Sequence, residues 1–354
     1  LAVALLAAAG ILGAGGDDRA IARSGGAPSD NAYMDSATYN GSTECGLCHE
    51  LTHEAWQKSF HPKKMRPADS STVVGDWATD PVLNVSAGVT ATPHLTKNGT
   101  SYYIDIDGTG SQVLRVDYVL GGLGWKQEYV VSIGRSKYVL PIQWNLETRV
   151  WVGVDAQDWY NATSGAATAP PKSQAWDRRC AGCHATGVEI AFEQDTGEWV
   201  ASYEELCIGC EACHGPGSLH INPPEGRGRE EFIWDNISSS VCGNCHIRGE
   251  SVGMLGGMTL GYPVSAAGKV IRPGDPLDAF FVANPIDYPD GETSAVHRQQ
   301  YYDYITHNHS RALGTVLASA QRSDTCLKCH STDYRLAPLE ERPTLDTARF
   351  SIEC

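Results

Sequence analysis

The stretch CIGCEACHGPGSLH, residues 207–220, concentrates the residue types that bind metals and cofactors. A Cys-x-x-Cys pair chelates zinc, cycles as a redox disulfide or anchors haem, and the residue after the second cysteine discriminates among these uses. Cys210 and Cys213 are followed directly by His214, whereas the overlapping pair that starts at Cys207 is followed by glutamate. The first pattern is that of a c-type haem, held by two thioether bonds with the adjacent histidine bound to its iron.

The same Cys-x-x-Cys-His pattern occurs five times along the 354 residues. We number these motifs in chain order: motif 1 (45–49), motif 2 (180–184), motif 3 (210–214), motif 4 (242–246) and motif 5 (326–330). Zinc sites give no reason for a histidine directly after every cysteine pair. The repeats therefore predict five covalently attached c-type haems. The predicted attachment cysteines are Cys45, Cys48, Cys180, Cys183, Cys210, Cys213, Cys242, Cys245, Cys326 and Cys329, and the proximal iron ligands are His49, His184, His214, His246 and His330.

Enough further histidines are present to give every iron a second imidazole. The candidate distal ligands are His53, His61, His220, His297, His307 and His309. A seventh, His94, lies in a turn context and is equally consistent with a plain surface residue. The chain has only four methionines, so His/Met ligation is the minority expectation. Bis-histidine ligation leaves no vacant position on the iron and suits electron transfer more than substrate chemistry.

Two details of spacing constrain these histidines. His53 follows His49 by four residues and cannot easily reach around the same iron, so we expect it to serve a neighbouring haem or one in an adjacent subunit. His307 and His309 are two residues apart and would point in different directions on a helix, so at most one should serve any given haem.

Two cysteines lie outside the five motifs, Cys207 and Cys354. In an exported chain two spare cysteines are candidates for a disulfide. The alternatives are two free or separately capped thiols, or an intermolecular bond.

Several features indicate export. Residues 1–16 carry no charge and resemble the apolar region of a signal peptide, although a retained membrane anchor is an alternative. Six asparagines lie in Asn-x-Ser/Thr sequons, more than chance predicts, although a loop-rich sequence could carry them without modification. These candidate glycosylation sites are Asn40, Asn84, Asn98, Asn161, Asn236 and Asn308. With several c-type haems, they favour a glycosylated extracellular or cell-surface protein, of archaeal type.

The net charge of −15 argues against nucleic acid as a partner, since phosphate binding needs basic patches. It is compatible with basic redox proteins or with metal and mineral acceptors, or simply with a solvated surface. Aromatic residues make up only 8% and glycines number 37, so we expect porphyrins to supply much of the apolar interior. The predicted fold class is mostly irregular, with short α-helices packed around haems and a small antiparallel β module between haems 1 and 2.

The predicted organisation follows the motifs. An alternating pattern of apolar and polar residues in SYYIDID, QVLRVDYVL, QEYVVSIG, KYVLPIQWN and RVWVGVD predicts strands in the cysteine-free stretch before motif 2. Residues 251–296 are rich in Gly and Pro and are predicted as loop, and 297–330 as helix. We divide the chain into an apolar segment and extended arm (1–42), a haem 1 region (43–99), a small β module (100–160), a region of haems 2–4 (161–250), and a region with a loop, a ligand-bearing helix and haem 5 (251–354).

The segments WQKSFHPKKM (56–65), CAGCHATGVE (180–189), CEACHGPGSLH (210–220), CGNCHIRG (242–249), GYPV (261–264), PGDPLDAFF (273–281) and QQYYDYITHNHSRA (299–312) resemble the cytochrome c-554-like multihaem family over roughly residues 43–335. That family includes periplasmic electron carriers and tetrahaem surface cytochromes that polymerise into electron-conducting filaments. The resemblance implies haems stacked alternately parallel and roughly perpendicular. It also implies that His220 is the distal ligand of haem 1, His61 that of haem 4, and one histidine of 297–309 that of haem 3. A fifth motif near the C-terminus departs from the tetrahaem pattern.

These observations favour an extracellular pentahaem cytochrome that conducts electrons as a homopolymeric filament, with a membrane contact only if the N-terminal segment is retained. A soluble electron shuttle shares every motif and differs only in assembly. A multihaem reductase of nitrogen or sulfur compounds would need an iron with an open position, and no Cys-x-x-Cys-Lys variant of the motif is present.

Overall fold

The structure, a computed structural model, describes residues 31–284 and 299–353. Within these residues it contains eleven short α-helices: α1 Ser42–Gly46, α2 Glu50–Lys58, α3 Trp176–Arg179, α4 Ala181–His184, α5 Glu211–His214, α6 Ser218–Ile221, α7 Ser239–Gly243, α8 Gln300–Thr306, α9 Ala312–Ala318, α10 Leu327–His330 and α11 Thr332–Leu336. In this part of the chain no helix is long and apolar enough to cross a membrane.

The strands of the described residues form small antiparallel sheets. Their bounds are β1 Met65–Pro67, β2 Leu83–Ser86, β3 Val89–Ala91, β4 His94–Asn98, β5 Ser101–Asp105, β6 Val113–Arg115, β7 Tyr118–Gly121, β8 Lys126–Ile133, β9 Ser136–Asn145, β10 Val150–Gly153, β11 Glu189–Glu193, β12 Glu198–Ser202, β13 Gly249–Ser251, β14 Met254–Leu255, β15 Met258–Thr259 and β16 Phe281–Ala283. The largest sheet has the order β1-β7-β8-β9-β10, and a second has the order β4-β5-β6. The other strands form the pairs β2-β3, β11-β12, β13-β16 and β14-β15.

The strands predicted between residues 101 and 155 are confirmed as β5 to β10. Strand formation begins earlier than predicted, however, at Met65 rather than near residue 100, so part of the predicted haem 1 region is β structure. The described part of 251–296, predicted as loop, also contributes short strands. The fold is therefore mixed, with more β structure than a mostly irregular chain would have.

A large apolar core lies within the β region, because alternate residues of each strand point inward. Along β8 and β9, for example, Tyr129, Val131, Leu140 and Ile142 are almost completely buried. Aromatic rings fill one end of this core, where Trp77 makes edge-on contacts with Tyr129 and other rings. This core contains no motif cysteine, so the β region has an apolar core of its own.

A second core lies beneath motif 2 and joins the β region to the segments around that motif. Trp176 and Tyr262 are fully buried in it. The buried carboxylate of Asp177 accepts hydrogen bonds from the backbone N–H of Lys137 (2.6 Å) and of Ala201 (3.0 Å), which ties α3 to β9 and β12. Lys137 also places its ammonium group 3.2 Å from this carboxylate, so the buried charge has a partner. Motif 2 is thus fixed against a rigid scaffold.

Segments from the two ends of the described chain close the molecule over motifs 3 and 4. Along residues 31–42, Asn31 Nδ2 donates to Asp275 Oδ1 (2.7 Å), and Thr38 N donates to Ser218 Oγ (2.8 Å). At the other end, the Glu353 carboxylate accepts from Ser239 N (2.7 Å) and from a tyrosine hydroxyl of α8. Both segments therefore contact residues that are far away in the sequence.

Candidate haem-binding sites

Each motif folds into a single helical turn that presents its two cysteines and its histidine together. Helices α4, α5 and α10 end at the motif histidine. In motifs 1, 3 and 4, the histidine N–H donates to the carbonyl of the first cysteine, at 2.9–3.1 Å, for example from His49 to Cys45. Residues three and four apart share one face of a helix. Two thiols and one imidazole therefore converge as a c-type haem requires.

Hydrogen bonds fix the orientation of several candidate ligand imidazoles. His214 Nδ1 lies 2.8 Å from the carbonyl oxygen of Trp234, and His246 Nδ1 lies 3.1 Å from Gln300 Oε1. The distal candidate His220 makes the same kind of contact, with its Nδ1 3.0 Å from the Arg229 carbonyl. An Nδ1–H bonded to an oxygen leaves Nε2 as the metal-binding nitrogen and sets the ring direction.

The structure places the ring of His220 beside that of His49, the histidine of motif 1. The ring centres of His49 and His220 are 6.2 Å apart, and their planes differ by 24°. Two imidazoles bound to one metal from opposite sides have ring centres roughly 6 Å apart, since each metal–nitrogen bond is about 2 Å long. The gap between these two rings therefore fits one iron with two histidine ligands.

His61 lies within electrostatic range of His246, the histidine of motif 4. Burial, followed by the charge of His246, lowers the pKa of the His61 imidazole below its ordinary value. The two rings are thus close enough to interact electrostatically, although residues 61 and 246 are far apart in sequence. A neutral imidazole is the form that binds metals.

The motifs are packed beside one another in pairs. Cys45 of motif 1 lies within hydrogen-bonding reach of Cys210 of motif 3. Cys183 of motif 2 is in the same relation to Cys245 of motif 4. The side chains of Cys213 and Cys242 interact electrostatically, which brings motif 3 next to motif 4. The contacts give the spatial order 1–3–4–2, which differs from the order in sequence.

A buried carboxylate holds motifs 1 and 3 together. Glu211, between the two cysteines of motif 3, is only 2% exposed. Its oxygens accept hydrogen bonds from the backbone N–H groups of Asn40, Gly41 and Gly217 at 2.7–3.0 Å. Burial raises the pKa of Glu211, and the backbone donors partly offset that rise. Sequence reasoning missed this residue, although an acidic side chain between two haem-attachment cysteines was an available signal.

The other histidine candidates occupy distinct places. His53 packs against Gly46 of motif 1 and Trp56, and its charge also acts on Cys210, so it faces the junction of motifs 1 and 3. His94 is bound instead to Asp80, with a distance of 2.8 Å between Nδ1 and the carboxylate.

His307 and His309 lie between motifs 4 and 5, because α8 packs on α7 whereas α9 packs on α10. Their ring centres are only 4.4 Å apart. The prediction of a continuous helix over 297–330 is wrong in the described part, since the backbone is extended at His307. That break places both rings side by side rather than in different helical directions.

Two predicted residues, His297 and Cys354, lie outside the described residues. Cys207 is half-buried. Among the sequon asparagines, Asn84, Asn98, Asn161 and Asn308 are exposed, whereas Asn40 and Asn236 are half-buried.

The two motifs at the ends of the sequence are the most open. Cys48 of motif 1 and Cys329 of motif 5 are exposed, whereas the other described cysteines are half-buried. Exposed apolar side chains accompany both motifs, including Leu47 (74%) and Leu51 beside motif 1 and Leu336 (79%) and Leu339 after motif 5. Apolar side chains beside attachment cysteines form a surface suited to a porphyrin face. Together with the histidine pair of motif 1, they indicate that the residues present fit c-type haem.

Comparisons with known proteins give the same class. The family described as "Cytochrome c554 and c-prime" matches residues 150–215, which contain motifs 2 and 3. The solved structure of outer cell wall cytochrome OcwA superposes with a TM-score of 0.66 and 25% identity over 89% of this chain. The match spans 61% of the OcwA chain, less than two thirds of its length. The undecahaem S-layer cytochrome of Carboxydothermus ferrireducens matches with a TM-score of 0.48 and 20% identity, over 90% of this chain and 38% of that one. Comparison with curated protein sequences gives no match.

Proposed function

We propose that this chain, a multihaem c-type cytochrome, is an extracellular or cell-surface protein that carries five bis-histidine haems and conducts electrons as a homopolymeric filament. Haem iron with two histidine ligands exchanges single electrons and offers no vacant position to a substrate. The ten motif cysteines would hold the haems, and the five motif histidines would be their proximal ligands. His220 and His61 would be the distal ligands at motifs 1 and 4.

The observation that carries the proposal is the pairing of His49 with His220. The two residues come from segments 171 positions apart, yet their ring centres lie at the spacing that one iron needs. The Arg229 carbonyl keeps His220 in that orientation. His61 is close enough to His246 for the two imidazoles to interact electrostatically. An iron whose two axial positions are both occupied by histidines supports electron transfer rather than a reductase activity.

Motifs 1, 3, 4 and 2 lie beside one another in that order, which supports conduction of electrons from one haem to the next. The exposed cysteines Cys48 and Cys329 belong to the first and last motifs of the sequence, so these motifs are the most accessible to another molecule. Each has its own exposed apolar surface, and two different surfaces on one chain suit a head-to-tail contact that repeats into a filament. The net charge of −15 supports metal, mineral or basic protein acceptors and no nucleic acid.

Two measurements on purified protein test the haem assignment. Intact mass, together with the haem-to-protein ratio, should give five covalent haems, and a ratio below five would contradict the count. Low-temperature electron spin resonance of the oxidised protein should show low-spin iron. A substantial high-spin ferric signal would reveal an open position on an iron and favour the reductase. Nitrite, hydroxylamine and sulfur oxyanions would then be tested as its substrates.

Electron microscopy of material sheared from the cell surface tests the assembly. Thin haem-containing filaments with a regular repeat are the expected result. Discrete small particles alone would contradict the filament and favour a soluble shuttle. Mass spectrometry of glycopeptides in the same material tests the sequons, and we expect modification first at the exposed residues Asn84, Asn98, Asn161 and Asn308.

A further inference from the structure

The hairpin loop between β5 and β6 contains a carboxylate whose burial calls for a partner. Asp105 is the last residue of β5 and is only 6% exposed. Its Oδ2 accepts a hydrogen bond from Gly110 N at 2.7 Å, whereas its buried Oδ1 has no hydrogen-bond donor. An ionised oxygen that is removed from water without a donor is costly, and a bound cation is one way to satisfy it.

A second carboxylate and two hydroxyls gather in the same turn. The carboxyl groups of Asp105 and Asp107 lie within hydrogen-bonding reach of each other. Ser111 Oγ lies 2.6 Å from Asp107 Oδ2 and 2.5 Å from Thr109 Oγ1. The backbone N–H of Thr109 also donates a hydrogen bond to Asp107 Oδ1 at 2.9 Å. Neighbouring like charges repel each other, and a cation between them removes that repulsion.

The spacing of these oxygens is that of a calcium loop. Asp105, Asp107, Thr109 and Ser111 alternate along the sequence D-I-D-G-T-G-S. Calcium loops of the EF-hand type take ligands from positions 1, 3, 5 and 7 and need glycine at position 6 for the sharp turn. Position 6 here is Gly110, with a positive φ of 87°. We propose that residues 105–111 form a Ca²⁺ site in which Asp105 Oδ1, the Asp107 carboxylate and the loop hydroxyl and carbonyl oxygens are ligands.

The donor set selects the class of metal and its affinity. All the gathered donors are oxygens, which suit hard cations such as Ca²⁺ rather than zinc or copper. Among the residues that the structure describes, no group of three or more His, Cys, Asp or Glu is arranged to hold a metal ion, and the site proposed here has only two such residues. Position 12 of the loop is Val116, where an EF-hand has a bidentate glutamate. With only two carboxylates, we expect a dissociation constant of about 0.1–1 mM, the range of extracellular calcium modules.

The test is calcium binding by the intact haem-loaded protein, measured by isothermal titration calorimetry with CaCl₂ in buffer of physiological salt. The informative variant is Asp107→Asn, because Asp107 is only half-buried and asparagine has nearly the same shape, so the fold should stay intact. The matched control is Asp69→Asn. Asp69 also accepts hydrogen bonds from a serine N–H and hydroxyl in an exposed turn, at 2.7 and 2.6 Å from Ser71. The control removes the same charge, so it corrects for diffuse calcium binding to an acidic protein.

We expect the wild type and Asp69→Asn to share a site that Asp107→Asn weakens at least tenfold. We also expect Mg²⁺ to compete poorly, since it demands a smaller octahedral shell. Equal affinity in the Asp107→Asn variant and the wild type would overturn the proposal. So would the absence of any saturable heat with 10 mM Ca²⁺. A calcium soak of crystals gives a second readout, because anomalous density beside Asp105 Oδ1 is required if the assignment is right.

Discussion

Replacing Glu211 by glutamine should loosen the junction of motifs 1 and 3. The carboxylate accepts from three backbone donors, at Asn40, Gly41 and Gly217, and is almost completely buried. Glutamine has nearly the same shape but only one oxygen, so its NH₂ group must face at least one backbone N–H that it cannot accept from. The variant therefore leaves a buried donor unpaired without creating a cavity.

The size of the effect follows from these contacts. A hydrogen bond to a charged group contributes about 1.5–3 kcal/mol, and a buried donor left unpaired costs about 1–3 kcal/mol. Burial raises the pKa of Glu211, which means that ionisation opposes folding, and glutamine removes that opposing contribution. We expect a net loss of about 2 kcal/mol in the free energy of unfolding.

Urea unfolding of the haem-loaded protein, followed by far-ultraviolet circular dichroism, measures the global effect. Hydrogen exchange measured by mass spectrometry localises it, and peptides that contain Gly41 and Gly217 should exchange faster in the variant. Glu225→Gln is the matched control, since Glu225 is exposed and loses the same charge. Its unfolding free energy should stay within about 0.5 kcal/mol of the wild type. If Glu211→Gln behaved like this control in both experiments, the carboxylate would not be what joins the two motifs.

Three further predictions test the ligand, the packing and the electrostatics. His220→Ala should convert one iron from low to high spin in electron spin resonance, because it removes the imidazole whose ring centre lies 6.2 Å from that of His49. An unchanged spectrum would exclude this assignment. Gly182→Ala should lower the free energy of unfolding in urea by about 1–3 kcal/mol, because the added methyl collides with the fully buried ring of Tyr262. Gly314→Ala, in open space on α9, should instead raise it by about 0.5–1 kcal/mol, and equal effects of the two variants would contradict this prediction. A hydrogen bond with Asp80 raises the pKa of His94. The contribution of this pair to folding stability is therefore complete below the ordinary histidine pKa of about 6.5 and is lost as pH rises through the raised pKa. The melting-temperature difference between wild type and His94→Gln should shrink from pH 6 to 8, and a constant difference would contradict this prediction.

The sequence predicted best what depends on local patterns. Alternation of apolar and polar residues located β8 and β9, because one face of each strand is buried in a core. The strands before residue 100 were not predicted, since β2 and β3 are only three or four residues long and too short for a clear period. The extended backbone at His307 was missed because the flanking residues favour a helix on both sides.

The arrangement of the motifs could not be derived from local patterns. Which histidine faces which motif depends on contacts over long sequence separations, such as that of His49 with His220. Only the resemblance to a known family indicated this pairing. The neighbour relation of Cys45 and Cys210 depends on Glu211 and the segment before motif 1, and neither has a periodic signature.

The hydrogen bonds that close the molecule at both ends have a consequence for biogenesis. Asn31 binds Asp275, which is 244 residues away, and Ser239 binds Glu353, which is 114 residues away. Contacts of such separation form late, because the entropy of closing a long loop must be overcome before they contribute. We therefore expect motifs 1 and 3 to stay in an open chain during synthesis until the later segments have emerged. That delay would leave their cysteines accessible to the machinery that attaches haem, so that closure of the fold would follow cofactor loading.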